Sequence, residues 1–454
     1  MIRLPSHFVA IFGGAVSGAE AAFQLAERGI KTVVFDQQLL PYGKIEDGLP
    51  KWHAKLRDKE ENKINEKMKH PNITYVPKAC LGDNVDFLDI VNNWGFTAVL
   101  LATGAWKDRP LPVDGVDAFI NKGLYYQNPF IYWFNHYHEP NYKGQQFDII
   151  DGTAIVGGGL ASLDVAKVLM IELVQKELTE RGHDVDMFTL DRNIAKVLDG
   201  LGLTLDDLGI EGCTLYYRRR VIDMPLSPMP TDTPEQLEKA ERVRDKLLNN
   251  FLKKYLFKMK ECHMPIGEIS EDGKLVGLRF QQTKVENGKA VPIEGSEMDV
   301  KTPWVISSIG SIPEPIPGIP TEWQAFKIKD EVSCQIDGFD RVFAVGNAVT
   351  GKGNINESFK HGRDLSKHIM DEHLSWKEDD FQEYLRLTES NVANQVDSIL
   401  SSFDNQNLLH PEKIQELEDK IKQLQQDAGY DNNYEKWVET HLPERLEDQL
   451  GVAH

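Results

Sequence analysis

The chain has 454 residues, 41% of them hydrophobic, with 71 acidic against 51 basic side chains and a net charge of −20. That length holds roughly two or three domains with cores of their own, and the acidic balance excludes general nucleic-acid binding, which needs a basic footprint. Four scattered cysteines include no C-x-x-C pair, so no redox dithiol and no iron–sulfur or zinc ligand set is read; no apolar run reaches the roughly 20 residues that span a bilayer, and Met1 to Ser6 are not read as a signal peptide, so the expected location is cytoplasmic.

In chain order, a strand over Phe8–Phe12 runs into Gly13-Gly14-Ala15-Val16-Ser17-Gly18, a helix covers Ala19–Arg28, and a strand over Thr32–Phe35 closes with Asp36. A glycine turn between strand and helix lets a pyrophosphate approach the backbone and aims free N–H groups at it. Gly13, Gly14 and Gly18, with Ala15 and Ser17 between them, are therefore expected to hold a dinucleotide, although Ala15 adds a methyl group at the middle position. Asp36 is placed to accept hydrogen bonds from ribose hydroxyls. Residues 51–69 are Lys-rich and predicted to form an exposed helix. A strand over Ala98–Ala102 leads to Thr103 and Gly104, where the chain leaves this unit. The aromatic-rich connector that follows, Tyr125 to Asn135, is expected to fill a domain interface.

A second unit starts 144 residues after the first turn. Strand Thr153–Val156 feeds Gly157-Gly158-Gly159-Leu160-Ala161-Ser162, which departs from glycine or alanine only at its last position, and a helix is predicted over Leu163–Leu173. Gly157, Gly159, Leu160 and Ala161 are expected to face a second pyrophosphate. That helix runs on into a polar, helical insertion, and the next strand, Thr214–Tyr217, comes over 50 residues after the turn, a longer gap than a βαβ unit of about 30 residues needs. Arg218, Arg219 and Arg220 follow that strand, where guanidinium forks suit the 2′-phosphate that distinguishes NADPH from NADH; Arg218 and Arg219 are assigned to it. Further strands are read at Leu275–Gln281 and Trp304–Ile309. After the Pro-rich stretch Ile312–Pro320, the strand Val342–Val345 runs into Gly346-Asn347, with Gly353 and Asn354 close behind and a helix starting near Asn356, suited to stabilising negative charge. Residues 371–454 are charged and helical, with 20 acidic and 7 basic side chains. Within them Ile414, Leu417, Ile421 and Leu424 are spaced 3-4-3, so one face packs on the chain's own body or on a partner helix.

The stretch Ile155–Lys167, the Trp133-Phe134-Asn135 connector and the long insertion before Tyr217-Arg218-Arg219 carry a family likeness. Over about residues 7–370 the chain resembles the flavoproteins of the adrenodoxin reductase and glutamate synthase small-subunit family, within the glutathione-reductase-like two-dinucleotide fold; Asp223-Met224-Pro225 is more like the glutamate synthase branch. The resemblance implies FAD on the first unit, NADPH on the second, hydride transfer from nicotinamide to flavin, and electrons leaving to an iron–sulfur protein or a partner subunit's iron–sulfur cluster. It also implies that Thr103 and Gly104, where such flavoproteins leave the flavin domain, bind the cofactor, and that Gly346 and Asn347, with Gly353 and Asn354 nearby, hold the flavin end of FAD. The chain departs from the family in having Asn347 where an aspartate or tryptophan is usual. It reads Pro50-Lys51-Trp52-His53 where adrenodoxin reductase has Pro-Asp-His, so no role is carried over to His53. Neither a cysteine-rich iron–sulfur segment nor the cysteine pair of disulfide reductases is read.

The expected architecture is α/β: two Rossmann-like dinucleotide-binding domains, the FAD domain interrupted by an inserted NADPH domain, plus a helical C-terminal extension. The boundaries are residues 1–115 and 323–374 for the FAD domain, 116–145 for the connector, 146–322 for the NADPH domain and 375–454 for the acidic extension. The expected function is an NADPH-dependent FAD oxidoreductase that passes electrons to a protein acceptor, ferredoxin-like or an iron–sulfur subunit. Such hydride transfer asks for no catalytic acid or base and no metal. Two other readings stay open: direct reduction of a small molecule on the flavin, and a flavin-bound scaffold or redox sensor without turnover. The tail is a candidate for oligomer or subunit contacts.

Overall fold

The computed structural model describes residues 6–226, 233–348, 378–403 and 408–452. Its first elements are β1 (Phe8–Phe12), α1 (Val16–Glu27), β2 (Lys31–Phe35), α2 (Ala54–Met68), β3 (Ile73–Val76) and β4 (Ala98–Leu101). Then come β5 (Leu124–Tyr126), α3 (Gln127–His136), β6 (Ala154–Gly157), α4 (Leu160–Glu180), β7 (Thr214–Tyr216), α5 (Pro234–Tyr255) and β8 (Lys258–Lys260). Further along the chain lie β9 (His263–Glu271), β10 (Lys274–Glu286), β11 (Lys289–Lys301), β12 (Val305–Ser308), β13 (Val342–Ala344), α6 (Glu378–Leu400), α7 (Pro411–Ala428) and α8 (Tyr434–His441), with shorter helices and strands between the elements named.

Two parallel sheets organise the chain, in strand orders β13-β4-β1-β2-β3 and β5-β12-β6-β7-β8. Their strands are continuous apolar runs because both faces are covered: all of β1 and all of β4 are buried. In each sheet the strand carrying the glycine turn lies between the next strand in sequence and one that arrives later. The connections diverge there and open a crevice at the carboxyl ends. The chain leaves the first sheet after β4 and returns at β13. On the way out and back, Lys107–Asp108 and Ser311–Ile312 pair as two antiparallel crossover segments.

Two features differ from expectation, the strand at Leu275–Gln281 and the Lys-rich stretch 51–69. The strand read at Leu275–Gln281 is the middle of an antiparallel meander, β9-β10-β11. Only β10 turns a clear apolar face inward, with Leu275, Leu278 and Phe280 packed on the second sheet and Phe280 stacked on Tyr216 at 4.3 Å; the outer strands carry charged, alternating sequences. The connector is a helix, α3, whose Phe134 lies 5.3 Å from the Trp52 ring. It packs the segment before α2 against the core of the second sheet, as an interface filler should.

The Lys-rich stretch 51–69 is not a solvated face. Leu56, Ile64 and Met68 of α2 are buried, and so are Arg57, Glu60 and Glu61. Residues far along the chain cover it. Arg445 reaches Glu46 at 2.6 Å and Glu61 at 2.9 Å, Arg57 pairs with Glu447, and Lys67 bridges Glu20 at 2.7 Å and Glu389 at 2.5 Å. The 3-4-3 face of α7 is likewise used on the chain's own body. Ile414, Leu417 and Ile421 are buried against the first sheet with Leu424 beside them, and Gln425 donates at 2.8 Å to the Tyr75 carbonyl on the edge strand β3, closing that edge.

Arg445→Met should cost about 3–5 kcal/mol by stranding Glu46 in a half-buried site without its cation, and Leu417→Ala about 2–5 kcal/mol. Chemical denaturation followed by circular dichroism measures both; a near-neutral Leu417→Ala would contradict its burial.

Candidate functional site

A cavity of about 500 Å³ opens at the carboxyl ends of the first sheet, within the range of about 300–1,000 Å³ typical of ligand pockets. Gly13, Ala15 and Ser17 line it, with Asp36 on one side and Thr103, Gly104 and Trp106 on another. The backbone approach here depends on missing side chains. Gly13 has φ +99°, and a Cβ on it would lie 2.3 Å from the Ala102 carbonyl oxygen; one on Gly18 would lie 1.7 Å from the Gly13 carbonyl oxygen. Gly346, at φ +63°, brings the segment after β13 so close that a Cβ would meet Ser17 Oγ at 2.1 Å. The extra methyl of Ala15 is accommodated by Gly43, where a Cβ would come within 2.8 Å of it.

Asp36 is buried at the end of β2 and already engaged: Gly14 N–H donates to its Oδ2 at 2.7 Å and Gln38 N–H to its Oδ1 at 2.9 Å. Burial outweighs these donors and pushes its carboxyl up to about 6. The Thr103 hydroxyl is buried with no hydrogen-bond partner, the state of a group awaiting a ligand. Gly346 and Asn347 form a short 3₁₀ turn directly after β13. Gly353, Asn354 and the helix expected near Asn356 lie outside the described residues.

At the second turn, a Cβ on Gly157 would lie 2.5 Å from the Ser308 carbonyl oxygen, and one on Gly158 would lie 2.1 Å from the Tyr217 ring. Gly159 has open space over it and Ala161 is exposed, so the N-terminus of α4, which begins at Leu160, is accessible. Ser162, the departure from pattern, is buried but satisfied: its hydroxyl donates to the Gly159 carbonyl at 2.5 Å. Tyr217 links this turn to the arginines, since its hydroxyl accepts from Arg219 Nε at 3.0 Å and donates to the Asp223 carbonyl at 3.0 Å. Arg220 is forked onto Asp223 by two 2.9 Å bonds, whereas Arg218 is exposed. The structure therefore gathers Gly157 to Ala161 with Arg218 and Arg219 and sets Arg220 apart.

Sequence reasoning missed Gly43, Tyr217 and Arg244. Arg244 projects from α5, donates to the Ile222 carbonyl at 2.8 Å, and is held below its ordinary value by burial, with the Arg219 charge adding to the effect. Only Tyr217 had a usable signal, its place immediately before the arginines. His53 does not line the cavity; burial and the Lys167 ammonium push its imidazole down to about 3, so it stays neutral.

The raised Asp36 value sets a pH dependence. Because the folded value, about 6, exceeds the ordinary 3.8, the group's contribution to stability is full below about pH 3.8 and is lost as the pH rises through about 6. Asp36→Asn should flatten that part of the ligand-free protein's melting-temperature profile.

Residues 7–200 match the family model described as pyridine nucleotide-disulphide oxidoreductase, a span running from β1 through both glycine turns. The chain is similar to the probable mitochondrial NADPH:adrenodoxin oxidoreductase of Schizosaccharomyces pombe, 25% identical over 175 residues, 37% of this chain and 36% of that one. It is also similar to the mitochondrial NADPH:adrenodoxin oxidoreductase of Arabidopsis thaliana, 24% identical over 352 residues and 70% of each chain. The glutamate synthase [NADPH] small chain of Bacillus subtilis is 23% identical over 382 residues, 80% of this chain and 66% of that one. The match thus spans only 36% of the first relative's length. Among solved structures, Mycobacterium tuberculosis FprA in complex with NADPH superposes with a TM-score of 0.65 at 17% identity, over 92% of this chain and 90% of that one, which establishes a shared fold.

Proposed function

We propose that the chain is an NADPH-dependent FAD oxidoreductase whose electrons go to a protein redox centre, a ferredoxin-like protein or the iron–sulfur cluster of a partner subunit. The observation that carries the reading is the cavity on the first glycine turn, with the unpaired Thr103 hydroxyl in its wall and two crossover segments leading to a second turn beside Arg218 and Arg219. These residues fit FAD. Gly13, Gly14, Ala15, Ser17 and Gly18 would hold its pyrophosphate, Asp36 its ribose, and Thr103, Gly104, Gly346 and Asn347 its flavin end, to which we also assign Gly353 and Asn354. Gly157, Gly159, Leu160 and Ala161 would hold the NADPH pyrophosphate, with Arg218 and Arg219 on the 2′-phosphate.

FAD and NADPH, when bound, supply the hydride chemistry. The chain's part is to position and to tune. The N–H groups left free at the two turns would receive phosphate, whereas the Gly13 N–H is given to the Phe35 carbonyl and the Gly14 N–H to Asp36, which would accept from ribose while steadying the turn. Tyr217 holds the Arg219 guanidinium over the edge of the second sheet, and α3 with the crossover segments sets one unit against the other. The protein acceptor is favoured by the relatives named as adrenodoxin oxidoreductases and as a glutamate synthase small chain. We place the protein in the cytoplasm as part of this reading. Among the described residues no helix is long and apolar enough to cross a membrane.

Anaerobic stopped-flow mixing should bleach the flavin absorbance with NADPH at least about tenfold faster than with NADH. Arg218→Ala and Arg219→Ala should each raise the KM for NADPH about 10- to 100-fold, the loss of a charge-assisted hydrogen bond of about 1.5–3 kcal/mol, with little change for NADH. Faster reduction by NADH would remove the arginine assignment. No bleaching with either nucleotide would leave a flavin-bound scaffold, and steady turnover with no protein acceptor would move the reading to a small-molecule reductase.

A further inference from the structure

Among the described residues that line the cavity, Lys44 is the only lysine or arginine; the other charged groups are Asp36 and Glu314. It opens the short helix Lys44–Asp47, directly after Gly43. The side chain is half-buried, and its ammonium donates to Asn128 Oδ1 at 3.1 Å and to Ser311 Oγ at 3.1 Å, both neutral. It also lies 5.7 Å from the centre of the Trp106 ring. Asn128 is itself held in place, its amide donating to the Trp106 carbonyl at 2.8 Å. Three separate parts of the chain, α3 and the two crossovers, thus fix one cation at the cavity.

The carboxylate whose charge acts on Lys44 is Asp108, which accepts from Asn128 N–H at 3.3 Å. Burial draws the Lys44 ammonium down to about 8 against the pull of Asp108, so it keeps its proton at neutral pH; burial also brings Asp108 up to about 7. A half-buried cation whose hydrogen bonds go to neutral groups, and whose neighbouring carboxylate Asp108 is itself pulled up to about 7, gains from a further negative charge sharing its site.

The position says which negative charge. Asp36, at the end of β2, marks the ribose side of a dinucleotide whose pyrophosphate lies over the turn after β1. Lys44 stands by the residues after β4 and by the crossovers, on the other side of that turn. This inference rests on the FAD reading above: we propose that Lys44 faces the flavin ring and offsets the negative charge the ring gains on reduction. Hydride transfer from NADPH leaves NADP⁺ and adds two electrons and one proton to the ring, which then carries one negative charge. Lys44 neither takes nor gives a proton in that step. Asn128 and Ser311 act as positioning residues that hold the ammonium against the cavity.

The test is the flavin midpoint potential of the full chain reconstituted with FAD, measured by equilibration with a reference dye, together with FAD affinity, for wild type, Lys44→Met, Lys44→Gln and Lys44→Arg. Lys44→Met and Lys44→Gln should bind FAD yet shift the equilibrium tenfold or more toward the oxidised form, a drop of about 30 mV for a two-electron couple. Lys44→Arg should stay close to wild type. Should Lys44→Met fail to fold, the polar Lys44→Gln decides against Lys44→Arg. The proposal is overturned if the neutral variants bind FAD at the wild-type potential, or if Lys44→Arg shifts as far as they do, which would indicate packing rather than charge. If wild type takes up no FAD, the cofactor reading itself fails and this proposal falls with it; with FAD bound and the potential unmoved, only the role of Lys44 falls.

Discussion

The first unit hangs on a contact that leaves no room for a side chain, where a Cβ on Gly18 would lie 1.7 Å from the Gly13 carbonyl oxygen. That closeness sets where α1 starts, and therefore where its unpaired N–H groups point. It also brings β4 and the segment after β13 to the same spot, through Ala102 against Gly13 and Ser17 against Gly346. A methyl group at any of these glycines would have to push helix, strand or return segment apart, and the cavity is the space between those three. The second unit meets the same need with different atoms. There the close approach is of Gly158 to an aromatic ring, and because that ring also holds Arg219, the turn and the cation move as one body.

Charge does for the outer wall what apolar packing does for the sheets. The tail is strongly acidic in sequence, yet several of its acids have specific partners: Glu447 with Arg57, Glu389 with Lys67, and Glu418 with Lys31 at 2.5 Å. Buried ion pairs of this kind add little net stability over apolar contacts but punish misplacement strongly. They define how α2 and the tail sit around the segment that bears Lys44 and Glu46. His136 extends the same logic on the other flank: burial opposes its charge, but Asp47 at 3.1 Å and Glu139 at 2.5 Å lift it to about 9.

The elements whose signals are local were legible in the sequence. Both glycine turns, the strands before them and Asp36 follow from spacing within about 30 residues of chain, and the arginine run was read from its place after the strand beyond the long insertion, which pairs in parallel with the strand before Gly157. What was not legible depends on distant partners. The stretch 51–69 reads as solvated because nothing near it reveals that Glu447 lies on Arg57, 390 residues away. The strands β9 and β11 were missed because they are mostly exposed and carry charged sequences without a clear apolar face. Lys44 has no pattern at all; its meaning comes from Asn128 and Ser311, which α3 and the returning crossover deliver from elsewhere. The 3-4-3 face of α7 was visible as a face, but its occupant, the first sheet, was not.

The placement of β13 and of the tail has a consequence for biosynthesis. The first sheet lacks the strand beside β4 until residue 342 has emerged from the ribosome, and the wall around Glu46 lacks Arg445 until almost the whole described chain is made. At about 5–20 residues per second, the stretch between β4 and β13 takes on the order of tens of seconds to synthesise. Through that interval the apolar flank of β4 stands uncovered while the inserted unit, whose strands are all in hand by residue 308, is free to fold. The second sheet therefore has all of its strands in hand before the first does, and the cavity on the first sheet lacks its α6 wall until residues 384–388 are made.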